Sequence, residues 1–183
     1  MTEQPTLLTE RLLLRPFTLG DVFSVQRLAG MREIADTTIS IPHPYESVYA
    51  EKWIAGHESA FAQGTAIHFA IETKDVHQLI GAIELRDIDR EHSQAELSYW
   101  IGVEWWAKGF ASEAAECLVG YGFEQLHLNR LYAYHMVKNP ASGRVLQKIG
   151  MRQEGLMRQR VRKWGIFEDV VLYAMLREEW LAS

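Results

Sequence analysis

The residues best suited to chemistry lie in one run, Trp105-Trp106-Ala107-Lys108-Gly109-Phe110-Ala111-Ser112-Glu113-Ala114. It separates a strand-like segment, Glu96 to Val103, from a helix-like one, Ser112 to Leu126. The first N–H groups of a helix lack intrahelical partners. Together with the positive end of the helix dipole they make an anion site. Gly109 lets the backbone approach a ligand closely, Ala111 keeps that approach clear of bulk, and Lys108 adds a mobile positive charge. The run reads as a cradle for a pyrophosphate. It is neither a G-x-x-x-x-G-K-[ST] loop nor a G-x-G-x-x-G turn, and a helix start without a ligand is the plain alternative.

Other reactive side chains offer less. Cys117 falls inside the helical pattern, as a small packing residue rather than a nucleophile. The histidines show no metal-ligand spacing, so no metal is expected. Arg158, Arg160 and Arg162 alternate and would share one strand face, which either attracts an acidic acceptor or is simply solvated. A net charge of −5 argues against nucleic-acid or membrane-surface binding, so a polyanionic ligand must be held by local groups.

The elements that position the cradle follow from the hydrophobic pattern. At 183 residues the chain, 1–183, reads as a single domain. A single cysteine fits the cytoplasm, and the start, Met1-Thr2-Glu3-Gln4-Pro5, lacks the pattern of a signal peptide. No apolar run is long enough to span a membrane. Leu7 to Arg15 reads as a strand stopped by Pro16, and Thr18 to Ala29 as a helix. A loop, Ile39 to Tyr45, precedes a helix from Ser47 to Gln63 that Gly64 ends. Ala66–Glu72, Gln78–Arg86 and Ala95–Val103 are strands with short connections, which predicts an antiparallel meander. Arg130–Val137 returns after the cradle helix and should run parallel to the Glu96 strand. Asn139 is a good N-cap for a short helix with Pro140 first and Gly150 as its stop. Gln153–Arg162 and Phe167–Arg177 form a final hairpin around Trp164-Gly165.

The cradle resembles the Gln/Arg-x-x-Gly-x-Gly/Ala segment of the GNAT superfamily of N-acetyltransferases, with Trp106 where that pattern has Gln or Arg. Trp-x-Lys-Gly-Phe-Ala-x-Glu-Ala is similar to the RimJ/RimL-like branch, which acetylates ribosomal-protein N-termini. Asn139-x-x-Ser142 followed by Lys148-x-Gly150-Met151 is a second match, and Thr9-Glu10-Arg11-Leu12-Leu13-Leu14-Arg15 a third, so the resemblance covers nearly the whole chain.

It implies an α+β fold, three-layer and α/β/α-like, with a mostly antiparallel central sheet. One parallel strand pair would splay to admit acetyl-CoA, the acetyl donor. The donor-binding residues would be Ile101, Gly102, Val103, Lys108, Gly109, Phe110, Ala111, Ser112, Asn139 and Ser142. The N–H of Ile101 or Val103 would face the thioester oxygen. With no activated cysteine, direct attack by a primary amine in a ternary complex is expected.

Glu96, in an Ala-Glu-Leu setting, resembles the strand glutamate used as base in part of the superfamily, with a solvated strand glutamate as the alternative, and Glu84 is a second candidate. Ser142 matches the serine assigned as acid in the RimL-like branch, with a helix-capping group as the alternative. Two departures are expected: Val161 stands where that branch has a glutamate, and Leu146 where many relatives have a tyrosine. The loop carrying His43 and Tyr45 resembles the family's acceptor-side wall, with a rigid surface loop as the alternative, and Glu84 would line that side too. The acceptor would be a ribosomal or other protein N-terminus, with a small amine or antibiotic, or an inactive acetyl-CoA sensor, as the alternatives. A homodimer is compatible with all of these.

Overall fold

The computed structural model describes residues 3–182; Met1 and Thr2, part of the leader reading, and Ser183 lie outside the described residues. The elements in order are β1 (Leu7–Leu8), β2 (Leu12–Arg15), α1 (Val22–Ala29), α2 (Arg32–Thr37), α3 (Ser47–Ala55), α4 (His57–Gln63), β3 (Ile67–Thr73) and β4 (Leu79–Asp89). They continue with β5 (Gln94–Ile101), α5 (Phe110–Glu124), β6 (Arg130–Met136), α6 (Pro140–Lys148), β7 (Arg152–Lys163), β8 (Ile166–Leu176) and α7 (Arg177–Leu181).

Several elements differ from the sequence reading for visible reasons. The first strand is cut in two because the Thr9 hydroxyl accepts the Leu12 N–H at 2.9 Å, folding β1 back onto β2. The long second helix breaks at Gly56, whose N–H turns to Trp53 O at 3.2 Å. The cradle helix, α5, begins at Phe110, two residues before the expected Ser112.

The strands form one eight-stranded sheet in the order β1-β2-β3-β4-β5-β6-β8-β7. The β3-β4-β5 meander is antiparallel, as expected, and β5 runs parallel to β6. That parallel pairing covers only Gln94↔Arg130, Ala95↔Leu131 and Glu96↔Tyr132; beyond Glu96 the two strands part.

Alternation along the strands builds two cores. On one face Ala114, Ala115, Leu118, Val119 and Phe123 of α5 pack with Phe69, Ile83, Leu85, Leu97 and Leu131. Each large side chain so buried contributes roughly 1.5–3 kcal/mol. On the other face Val25, Leu28, Ala50 and Ile54, from α1 and α3, pack on Ala70 and Leu79. The result is the expected three-layer α/β/α arrangement. Among the described residues no helix is long and apolar enough to cross a membrane.

One buried group on the second face carries a pH dependence. His57 stacks on His68 with ring centroids 4.0 Å apart, and neither of its nitrogens finds a hydrogen-bond partner among the described residues. Burial, with the charge of His68 adding to it, pushes the His57 pKa down from 6.5 to about 3. Its contribution is therefore fully present above the unfolded value. Below that value the unfolded chain binds a proton that the folded one refuses, and stability falls by at most about 1.4 kcal/mol per pH unit. His57→Phe removes this proton linkage. Its Tm should decline less than that of wild type as the pH falls from about 6.5 to 5. Parallel Tm curves would place the acid sensitivity elsewhere.

Candidate functional site

Beyond Glu96, the β6-facing edge of β5 has no strand partner among the described residues. Gly102 N–H points across to Ile80 O, 2.8 Å away, and peptide directions alternate along a strand. The peptide groups of Tyr99 and Ile101, beyond the pairing with Tyr132, therefore face the gap. A cavity of about 790 Å³ lies at the gap and is lined by residues from both faces of the sheet. On the α5 face it is lined by Gly109, Phe110, Ala111, Ser112, Asn139 and Ser142. On the opposite face Tyr45, Glu84, Arg86 and Glu96 line it.

The cradle is held by three local devices. Gly109 caps α5 at φ 83°, a left-handed conformation that favours glycine. Glu113 N–H bonds Gly109 O at 3.1 Å, the first i→i−4 bond of the helix, so the N–H groups of Phe110, Ala111 and Ser112 precede the ladder. Trp106 Nε1 donates to Ile101 O at 2.6 Å and pins the turn to the end of β5. The tryptophan that replaces Gln or Arg in the family pattern thus has a structural task.

Thr9 and Arg11 supply the third device. The Thr9 hydroxyl and Arg11 N–H donate to Glu113 Oε1 at 2.6 and 2.8 Å, and Arg11 Nε donates to Oε2 at 2.6 Å. Arg11 also donates to Lys108 O at 3.0 Å. Burial alone would raise the Glu113 pKa, but these bonds outweigh it and hold the carboxylate below its ordinary range. The helix start is thereby fixed without a free negative charge in the cradle.

Not every expected donor residue lines the cavity. Lys108 Nζ stands 4.7 Å from the Trp105 ring centroid and is outside the lining. Gly102 also lies outside it; a Cβ there would come within 2.8 Å of Leu28, so packing explains this glycine. Val103 has left the strand for a short 3-10 turn, Val103–Trp105, so of the two expected N–H groups only that of Ile101 faces the gap.

At the start of α6, Asn139 Oδ1 caps the helix by accepting Ser142 N–H at 3.3 Å. Ser142 Oγ lies 2.9 Å from the Tyr99 hydroxyl. Tyr99 was missed in the sequence, where it looks like one more apolar strand residue. Burial pushes its phenol up to about 12, against the Ser142 hydrogen bond, which lowers it. Leu146 is fully buried in the core and Val161 packs with Met136 and Val170, so both departures from the family pattern are structural residues here.

On the acceptor face Arg86 pairs with Glu96, and its Nη1 lies 3.5 Å from Glu84. Glu84 in turn meets His68 Nδ1 at 2.5 Å. Burial raises the Glu96 pKa despite the opposing Arg86 cation. Tyr45 lines the cavity. His43 does not: its Nδ1 sits 3.1 Å from Gly30 O, which turns the ring away from the acceptor side. The arginine triad is also altered. Gln159 adopts φ 52° at an irregularity in β7, so Arg158 and Arg162 do not share one simple strand face.

A helix start built for anions, an open strand edge and a cavity lined from both faces of the sheet are the parts of a CoA-dependent acyltransferase. The chain belongs to the GNAT acetyltransferases: the model of the Acetyltransferase (GNAT) domain matches residues 11–152. It is 33% identical over 175 residues to the uncharacterised N-acetyltransferase p20 of Bacillus licheniformis, covering 96% of this chain and 98% of that one. It is 30% identical over 119 residues to the [ribosomal protein uS5]-alanine N-acetyltransferase of Escherichia coli, 64% and 61% of the two chains. A spermidine N(1)-acetyltransferase of Vibrio cholerae is 26% identical over 174 residues, 95% and 98%. The same fold is seen in RimL, solved in complex with CoA, with a TM-score of 0.87 at 19% identity over 94% of this chain and 98% of that one. The chain is thus an N-acetyltransferase of a family that uses acetyl-CoA.

Proposed function

We propose that this enzyme acetylates the α-amine of a protein or peptide N-terminus by direct attack on acetyl-CoA. The observation that carries the reading is the cavity at the β5–β6 gap, lined from both faces of the sheet, where donor and acceptor would meet. The free N–H groups of Phe110, Ala111 and Ser112 would hold the pyrophosphate, with Lys108 within reach as a mobile cation. The pantetheine arm would lie along the β5 edge beside Asn139. The N–H of Ile101 would face the thioester oxygen as charge develops on it. Glu96 is the base, with Glu84 as its alternate, and Ser142 gives a hydrogen bond to the leaving sulfur.

The acceptor side favours a peptide end over a polyamine. Its walls include Ile34, Ile39, Ile41, Tyr45, Tyr49 and Trp53, and its charged groups are Glu84, Arg86 and Glu96, two carboxylates against one guanidinium. One net negative charge suits one ammonium and little more, and the apolar wall suits a first side chain. Proton energetics point the same way. An α-amine near pKa 7.8 is neutral in roughly one molecule in seven at pH 7, a lysine in only about one in 2,500. Offsetting that difference, about 3.5 kcal/mol, needs a strong base. Glu96 is a carboxylate whose rise in basicity on burial is opposed by Arg86, and it is not one. The uS5-alanine relative supports this class, and the spermidine relative marks the competitor.

The test uses matched peptides. One has a free N-terminus and blocked lysines, the other a blocked N-terminus and free lysines; spermidine is assayed beside them. Faster acetylation of the first peptide is expected. Preference for the second, or for spermidine, would overturn the reading.

A further inference from the structure

We propose that Tyr99 is a positioning residue that turns the Ser142 hydroxyl toward the leaving sulfur of the donor thioester. The inference rests on the donor placement proposed above and deepens it. Tyr99 belongs to the β5 residues whose peptide groups face the gap, and both Tyr99 and Ser142 line the cavity. The phenol oxygen lies 2.9 Å from Ser142 Oγ and 3.2 Å from Ser142 O, where it donates.

Two hydroxyls and one carbonyl share two protons here, and they can do so in two ways. If Ser142 donates to Tyr99, the phenol proton goes to Ser142 O and the pair is closed on itself. If Tyr99 donates to Ser142 Oγ, the serine proton is released to point into the cavity. Only the second arrangement offers a donor to a ligand. As the amine nitrogen bonds to the carbonyl carbon, the C–S bond breaks and its electron pair moves onto sulfur. That negative charge selects the second arrangement. The amine proton goes to the base, and the thiolate takes a proton from solvent after release. The phenol itself stays neutral throughout, as a pKa pushed up to about 12 by burial requires. Tyr99 therefore acts through Ser142 and is not the proton's source.

The test compares wild type with Tyr99→Phe, Ser142→Ala and the double variant. The first readout is the pKa of the bound CoA thiol, followed by thiolate difference absorbance with the desulfo-CoA complex as blank. Wild type should hold the thiol below its value in free CoA. Each single variant should raise it by about one unit, and the double variant by no more than either single. In turnover each single variant should lose about tenfold in kcat, with the donor KM within about twofold. A lower kcat in Tyr99→Phe with an unmoved thiol pKa would make Tyr99 a merely structural residue and overturn the inference, as would additive effects in the double variant. Wild type that fails to bind CoA would instead overturn the donor placement, and the inference with it.

Discussion

Glu96→Gln is expected to slow acetyl transfer about 100-fold near pH 6.5, with the deficit shrinking toward pH 9. Glu96 is the last β5 residue paired with β6, so its side chain sits at the apex of the gap. Burial raises its pKa and Arg86 opposes that rise, with burial prevailing. Below that raised pKa the wild-type carboxyl is protonated and the base is lost, which gives the wild-type rate its acid limb. The variant has no such limb. Its rate follows only the ionisation of the acceptor, near 7.8 for an α-amine. Raising the pH supplies neutral amine directly and so rescues the variant in part. Glutamine keeps the shape but removes the partner of Arg86, which retains Glu84 at 3.5 Å. A Tm measured alongside separates loss of base from loss of fold. A pH–rate profile parallel to wild type would take Glu96 out of the mechanism, and a larger loss in Glu84→Gln would move the role there.

What the sequence discloses about this site depends on how local the cause is. The cradle is legible because strand, glycine, small residue and helix follow one another within a few positions. The parallel return of β6 follows from the intervening helix, and Asn139 and Pro140 announce the start of α6 by local backbone preference. The contacts that fix these parts are not local. Tyr99 and Ser142 are 43 positions apart, and Arg11 and Glu113 are 102 apart. No periodicity reports such pairings. The Thr9-Glu10-Arg11 motif was visible, but its task of locking Glu113 emerges only when β2 is laid beside the α5 start. His43 shows the converse. A histidine between prolines in a loop near the acceptor side looks functional, yet the fold turns it to Gly30 O.

The start of α5 bears the central claim that the donor's pyrophosphate is held by backbone N–H groups. Gly109 caps this helix at φ 83°, and a Cβ there would approach Arg11 Nη2 at 3.4 Å. Valine in that left-handed position is strained by about 1–2 kcal/mol, and it puts branched bulk beside the free N–H groups. A domain stable by about 5–15 kcal/mol survives that strain, and its circular dichroism should remain native. To relieve it the backbone must rotate, which turns the Phe110 and Ala111 N–H groups off the ligand. Calorimetric titration of CoA into wild type and Gly109→Val measures this directly. The expected result is tight binding to wild type and a loss of about 100-fold in the variant, about 2.7 kcal/mol. An unchanged CoA affinity in a folded Gly109→Val protein would contradict the claim.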